Sequence, residues 1–285
     1  MTGSILVIGA TGAVGSRVRA GLERRGEAVV AASRDPSQAA ARADGPARWV
    51  ALDLERPESF APALVGVDRA FLIARPGDER ADVFAAPLID AMQRAGVRRV
   101  VDISAMGVEA QDDAALRKIE VRLERSGLEF VHLRPNFFMQ VFCGGPLLPM
   151  LRRGEIALPA ADAKISYVDA EDIAAVAVAA LCEPAHAGRA YTLTGPEALD
   201  HHEVAARLAE ATGAAIRYTP QGEPATRELL AQAGMPPARV ERLIGFYRLV
   251  RAGWCAPVSD AVASVLGRPA RPFARFARDH ARCWT

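Results

Sequence analysis

The segment Gly9-Ala10-Thr11-Gly12-Ala13-Val14-Gly15 follows the apolar run Ser4–Ile8 at once and opens the amphipathic stretch Ala13–Arg25. At this spacing the first glycine permits a tight turn, the second lets the backbone approach a pyrophosphate with no Cβ in the way, and the third lets the following helix pack on the strand. The helix start then offers free N–H groups to the anion. A strand before and a helix after separate the motif from a plain βα turn and point to dinucleotide binding. The end of the next apolar run, Ala28–Ala32, selects the form of the dinucleotide. An Asp or Glu there would accept the ribose 2′-OH. Here Ser33 and Arg34 stand instead, a hydroxyl and a guanidinium that suit a 2′-phosphate, so NADPH is the expected cofactor. Asp35 next door works against this reading, and a plain surface role for Arg34 is the alternative.

Ligands of doubly wound sheets sit beyond the carboxyl ends of the strands, so the other strand ends supply further candidates. Asp53 and Leu54 close the third strand and are expected to face the adenine. Ala74, Arg75 and Pro76 close the fourth and are expected beneath the nicotinamide side, chiefly through backbone contacts, with Arg75 reaching phosphate or substrate. Ser104 closes the fifth, where its hydroxyl would orient a substrate carbonyl or the nicotinamide amide. A serine that only starts a turn is its competing reading.

These residues need a scaffold, and the chain reads as one. Apolar runs at Ser4–Ile8, Ala28–Ala32, Arg48–Leu52, Ala70–Ala74, Arg98–Ile103 and Glu129–Arg134 alternate with helical periodicity at Ala13–Arg25, Ala81–Ala95 and Asp112–Ser126. Gln38–Arg48 fits a helix or a loop. The pattern predicts an α/β fold, a Rossmann-type doubly wound parallel sheet over residues 1–135. After Pro135 the alternation lapses in NFFMQVFCGGPLLPMLRRGEIALP. Strand-like Lys164–Val168, Ala190–Thr194 and Ala215–Thr219 interleave with helices Ala170–Leu181 and His201–Ala211, and only helices follow from Pro224. Residues 136–285 therefore read as a smaller, mostly helical substrate region that closes over the substrate, with part of it returning to the main sheet.

Composition narrows the class. The 285 residues carry a net charge of +1, 51% hydrophobic and 24% charged residues, a profile with ample core and little general affinity for nucleic acid. The charge is uneven, since residues 236–285 hold nine Arg against Glu241, Asp260 and Asp279, a net of +6. That segment reads either as a solvated face or as a surface for an anionic partner. Four dispersed cysteines without a CxxC pair suggest neither a zinc cluster nor a disulfide framework, and fit a reducing cytoplasm. The N-terminal apolar run is too short for a membrane span and lacks a basic leader. His201 and His202 follow an N-cap Asp200, and His132 sits within a strand. None is spaced for a metal, and no GxSxG elbow supports hydrolysis.

Several segments together resemble the NmrA-like group of atypical short-chain dehydrogenases: the GATGAVG turn, Ser33-Arg34-Asp35-Pro36, Arg117-Lys118-Ile119-Glu120 followed by Glu124-Arg125-Ser126-Gly127-Leu128, Leu133-Arg134-Pro135-Asn136-Phe137-Phe138-Met139, Ile165-Ser166-Tyr167-Val168-Asp169 with Asp172-Ile173-Ala174, and Tyr191-Thr192-Leu193-Thr194-Gly195-Pro196. The group includes NADPH-dependent quinone, triarylmethane and iminium reductases as well as redox-sensing regulators. The resemblance implies that Pro135, Asn136 and Phe137 line the cofactor, with Phe138 and Met139 beside the substrate. It also implies a ribose contact for Lys118. The group's ordinary relatives place a catalytic Tyr four residues before such a Lys. This chain has Ala114 there, and Leu116 where many of the group carry His. Lys118 pairing with Glu120 or Glu124 is an equal alternative.

Aromatic residues gather where a flat substrate would stack, with Phe137, Phe138 and Phe142 after the sixth strand and Phe246, Tyr247 and Trp254 on the late helices. Tyr167 is a candidate for the missing phenol. Core packing is the alternative for each of them. The expected reaction is hydride transfer from NADPH to an aromatic, quinone, enone or iminium-type small molecule, by a monomer or homodimer. A non-catalytic NADP(H) sensor and a non-redox tailoring enzyme are the competing functions.

Overall fold

Apolar runs separated by amphipathic stretches build a parallel sheet covered on both faces, because each strand–helix–strand unit brings the chain back in the same direction. The structure, a computed structural model, describes residues 3–74 and 77–285. Its first part runs β1 (Ser4–Val7), α1 (Gly15–Arg24), β2 (Val29–Ser33), α2 (Pro36–Arg42), β3 (Arg48–Ala51), α3 (Phe60–Ala63), β4 (Val67–Ile73), α4 (Ala81–Arg94), β5 (Arg99–Ile103), α5 (Ala115–Arg125) and β6 (Glu129–Pro135). There follow α6 (Leu147–Arg152), β7 (Glu155–Leu158), α7 (Ala170–Cys182), β8 (Arg189–Leu193), α8 (His201–Thr212), β9 (Arg217–Pro220), α9 (Glu223–Gln232), α10 (Pro237–Arg251), α11 (Ala261–Leu266) and α12 (Phe273–Asp279).

Seven strands form one sheet in the order β3-β2-β1-β4-β5-β6-β8, every neighbouring pair parallel. This is the Rossmann order, and strand succession reverses between β1 and β4, where such sheets bind ligands. The chain divides into two compact units, Met1–Pro135 with Ala170–Leu193, and Asn136–Asp169 with Thr194–Thr285. The sheet therefore recovers α7 and β8 from the second half of the chain. Helix α7 suits that place because nearly every residue of Ala170–Leu181 is buried, leaving it no solvent face. Two buried arginines secure its carboxyl end. Arg69 Nη1 on β4 donates to the Leu181 carbonyl at 3.1 Å, and Arg99 Nη1 on β5 donates to those of Ala180 and Glu183 at 2.9 and 2.6 Å. On the opposite face Leu6, Val30, Leu72 and Val100 pack with Leu88, Ile89 and Met92 of α4.

The second unit has its own core, centred on Phe142, Tyr167, Tyr218, Tyr247, Phe273 and Phe276, and its own parallel pair, β7 with β9. Helix α8 begins with a full capping box between Asp200 and Glu203. Two expectations change here. Lys164–Val168 is not a strand, and only isolated bridges join Ile165 to Leu199 and Val168 to Phe138. Its backbone is met by a loop instead, Ser166 N donating to the Cys255 carbonyl at 2.9 Å. Glu155–Leu158, expected to be irregular, is β7, which finds its partner some sixty residues later. Part of the C-terminal positive charge is met within the unit. Glu223 of α9 receives Arg248 at 2.7 Å and Arg251 at 2.6 Å, and Asp279 lies 3.7 Å from Arg271 and 3.6 Å from Arg275. Among the described residues no helix is long and apolar enough to cross a membrane.

Candidate functional site

The three glycines after β1 have different reasons to be glycine. Gly9 has φ +70°, and a Cβ on it would lie 2.6 Å from Ile73 Cγ2. Its carbonyl accepts from Gly12 N at 2.9 Å, closing the turn. A Cβ on Gly15 would lie 2.1 Å from that same carbonyl oxygen and 2.7 Å from its carbon, so α1 can start here only without a side chain. Gly12 is not crowded in this way. Its Cβ would meet only Gly9 O, at 3.3 Å, so the fold itself does not demand glycine there, whereas a close approach of pyrophosphate does. The start of α1 carries no side-chain cap and no acidic residue. Among the described residues no acceptor meets the amides of Ala13, Val14 and Gly15, which leaves a helix start fit for an anion.

A cleft of about 640 Å³ opens beside this turn. Gly9, Ala10, Thr11, Ser33, Arg34, Asp53 and Leu54, all singled out from the sequence, line it together. Ser33 Oγ and Asp35 close a tight local turn, and Asp35 Oδ1 caps α2 by accepting from Gln38 N at 2.9 Å. The carboxylate that stood against a 2′-phosphate is thus occupied by the helix it starts. Arg34 is exposed, and among the described residues it has no carboxylate partner. Asp53 Oδ1 accepts from Glu55 N at 3.2 Å. The cleft also gathers residues that the sequence did not offer: Arg42 at the end of α2, Trp49 on β3, and Arg19 of α1, whose guanidinium lies 5.9 Å from the Trp49 ring centre. Arg42 was hidden because Gln38–Arg48 had no assigned helical phase. Ala74 is buried, and Arg75 and Pro76 lie outside the described residues.

Toward the ends of β5 and β6 the pairs on the α5 side turn from apolar to polar. Val100 stands opposite Phe130 and Asp102 opposite His132, with Ser104 and Arg134 the next residues on that side. Asp102 Oδ1 and His132 Nδ1 are 2.6 Å apart, both buried, and Phe130 stacks on His132 at 4.7 Å. Burial raises the Asp102 pKa despite the histidine. Burial also works against the His132 cation, but the bond and charge of Asp102, with Glu120 and Glu124, outweigh it and raise the His132 pKa. Glu120 is fully buried. Arg134 Nε and Nη2 each donate to it at 2.9 Å, and Arg117 Nη1 does so at 2.9 Å. Burial opposes its charge, yet Arg134 and the nearby Ser104 hydroxyl hold it below the usual carboxylate range. Ser104 Oγ itself is buried and short of full hydrogen-bond geometry with any described partner. Among the described residues Lys118 pairs with neither of the glutamates that the sequence offered it. The inward face of α5 is Ile119, Glu120 and Leu123, so Lys118 is exposed and lines a groove of about 750 Å³ with Asp90 and Gln93 of α4 and Arg122 of α5.

The second unit holds the remaining candidates. Asn136 spends its carboxamide internally, donating to Ser166 Oγ and the Cys255 carbonyl, both at 2.8 Å, and accepting from Phe137 N at 2.9 Å. Met139, Phe142, Tyr167 and Tyr247 are enclosed in the core, so as they stand their side chains serve packing and not a substrate surface. The Tyr167 hydroxyl pairs with His201 Nε2 at 3.1 Å, and burial raises its pKa far above that of a free phenol, which ill suits the proton donor it was expected to replace. Burial lowers His201 to about 4, keeping it neutral. Phe137 and Phe138 are half-buried, and Phe137 meets Phe246 edge-on at 6.3 Å. Phe246 and Trp254 are 42% and 64% exposed. Among the described residues no cluster suits a metal ion.

A family model described as NAD(P)H-binding matches residues 9–184. The chain is 35% identical over 283 residues to NAD(P)H azoreductase of Xenophilus azovorans, covering 97% of this chain and 98% of that one. It is 35% identical over 290 residues to (4-alkanoyl-5-oxo-2,5-dihydrofuran-3-yl)methyl phosphate reductase of Streptomyces griseus subsp. griseus, covering 98% and 99%. Among solved structures it is similar to Citrobacter sp. triphenylmethane reductase complexed with NADP(H), with a TM-score of 0.84 at 22% identity over 98% and 99% of the two chains, a likeness of fold.

Proposed function

The chain belongs to the NAD(P)H-binding family of oxidoreductases, and from that premise we propose an NADPH-dependent reductase of conjugated, electron-poor aromatic acceptors, working in the cytoplasm. One observation carries the cofactor reading. The uncapped α1 start follows the Gly9-Ala10-Thr11 turn, which lines one cleft with Arg34, a cation without a carboxylate partner among the described residues, while Asp35 is turned into its helix. Pyrophosphate would take the amides of Ala13 to Gly15, and Ser33 and Arg34 would take the 2′-phosphate. When bound, the cofactor supplies a hydride. The exposed rings of Phe246 and Trp254, with Phe137 behind Phe246, offer apolar faces on which an aromatic acceptor stacks. Two of the similar proteins are by name reductases of azo and triphenylmethane compounds, which supports this acceptor class. Such acceptors delocalise or neutralise the charge left by hydride addition, so water suffices as proton source and no phenol is required.

Thermal shift with NADPH and with NADH, on wild type and Arg34→Glu, tests the cofactor reading. A ligand at a hundred times its Kd stabilises by about 2.7 kcal/mol. NADPH is expected to raise Tm clearly more than NADH in the wild type, and this preference is expected to vanish in Arg34→Glu. Equal stabilisation of the wild type by NADH refutes the 2′-phosphate assignment. A panel of azo, quinone, enone and iminium acceptors, followed by NADPH absorbance, tests the reaction.

A further inference from the structure

We propose that Glu120 is a positioning residue for the reductive step, holding Ser104 and the end of β6 in place through Arg134, an inference that rests on the reductase reading above. The argument starts from helical phase. Positions 118 and 120 of α5 point some 200° apart. Lys118 therefore faces outward, and the place where α5 meets the carboxyl ends of β5 and β6 is filled by a carboxylate. The residues beneath it become more polar toward that end, from Val100 and Phe130 through Asp102 and His132 to Ser104 and Arg134. In an open parallel sheet that is the end at which ligands bind.

Glu120 joins α5 to the end of β6 there. Arg134 of β6 grips both of its oxygens at 2.9 Å, and Arg117 adds a third bond at 2.9 Å. The end of β6 is in turn stitched to the segment after β5 by Ser104 N to the Leu133 carbonyl at 2.7 Å and Met106 N to the Pro135 carbonyl at 3.1 Å. A shift of Arg134 would therefore be passed to Ser104 and to Pro135. Stability alone is a poor reason for such an arrangement, because a buried ion pair can often be replaced by apolar groups of similar volume at no loss. What an apolar pair lacks is the directional hold on Arg134, whose chain neighbours Leu133 and Pro135 carry it to Ser104 and Met106.

The test is the double variant Glu120→Met/Arg134→Leu, compared with wild type in Tm, NADPH Kd, and kcat and KM for the best acceptor of the panel at saturating NADPH. The expected result is a folded protein with Tm within a few degrees of wild type, Kd and KM each within threefold, and kcat at least tenfold lower. A purely structural pair would move Tm and leave the kcat of the folded fraction unchanged. A folded double variant with kcat within twofold of wild type overturns the proposal. Should the double variant not fold, Glu120→Gln keeps the shape without the charge and answers the same question: kcat at least tenfold down at unchanged KM supports the positioning role, and wild-type kcat overturns it. Wild type that oxidises NADPH with no acceptor overturns the reductase reading itself, an outcome distinct from an active wild type with an equally active variant.

Discussion

Substituting alanine at Gly12 and at Gly15 separates the glycine that serves the ligand from the one that serves the fold. Neither has a positive φ, so alanine can adopt both backbones, and what differs is space. At Gly15 the new Cβ would sit 2.1 Å from the carbonyl oxygen of Gly9 and 2.7 Å from its carbon. Both obstacles are backbone and cannot rotate aside, so the turn and the first residue of α1 must part by more than an ångström. Overpacking of this kind costs about 3 kcal/mol or more, a fall in Tm of roughly 6–12 °C for a chain of this size. At Gly12 the only neighbour is Gly9 O at 3.3 Å, and alanine also restricts the unfolded chain. Stability should therefore change by less than about 1 kcal/mol. Binding should respond in the opposite sense, because the methyl occupies the approach to the pyrophosphate. A loss of at least tenfold in NADPH affinity, about 1.4 kcal/mol, is expected for Gly12→Ala. Thermal unfolding without ligand gives the first quantity and isothermal titration of NADPH the second. A Gly12→Ala protein with wild-type affinity would refute the placement of the pyrophosphate, and a Gly15→Ala protein of wild-type stability would refute the packing argument.

His201 gives the second unit an acid sensitivity whose sign follows from its burial. Its folded pKa, near 4, lies below the unfolded value near 6.5, so its contribution is intact above pH 6.5 and is lost as pH falls toward 4, by about 3 kcal/mol in all. Urea unfolding at pH 7, 5.5 and 4 should show the stability gap between wild type and His201→Gln narrowing by that amount, and parallel curves would contradict it. Phe246→Ala and Trp254→Ala remove exposed rings and should leave Tm within about 2 °C while raising the acceptor KM severalfold. Phe142→Ala, which empties a fully buried site, should cost about 3–5 kcal/mol. Unchanged KM in both exposed-ring variants would remove the stacking role.

The parallel sheet was legible because its strands are buried on both faces and so appear as continuous apolar runs, each bounded by a helix of clear period. Strands β1 to β6 fall within a few residues of where those runs predict them. In the second unit the same signal misleads, since its apolar residues form a core of loops and short helices. Ile165 and Val168 look like a strand because they are buried, yet their neighbours are a loop and single bridges. Strand β7 escaped for the converse reason. Its four residues gain a ladder only from β9, and no local pattern announces a partner so distant in sequence. For the same reason Met139, Phe142, Tyr167 and Tyr247 could not be told from substrate contacts by type alone: a buried aromatic core and an aromatic pocket share a composition and differ in exposure.

Lys118 is exposed on α5 while Glu120, two residues on, is buried against the sheet. Ala114 is the residue that precedes α5 and has an extended backbone, whereas Lys118 of the first turn lines the outer groove with α4 and Glu120 and Leu123 meet the sheet. The chemistry at the ends of β5 and β6 has to be read from the groups that do face it, a buried serine, the Asp102–His132 pair one rung before it, and a carboxylate clasped by two arginines. With the Glu120 carboxyl held ionised, neither it nor the arginines can give up a proton readily near neutral pH, and on the reductase proposal Ser104 would orient the acceptor rather than protonate it. On the reductase proposal, such a site would favour acceptors that need a hydride more than they need an acid.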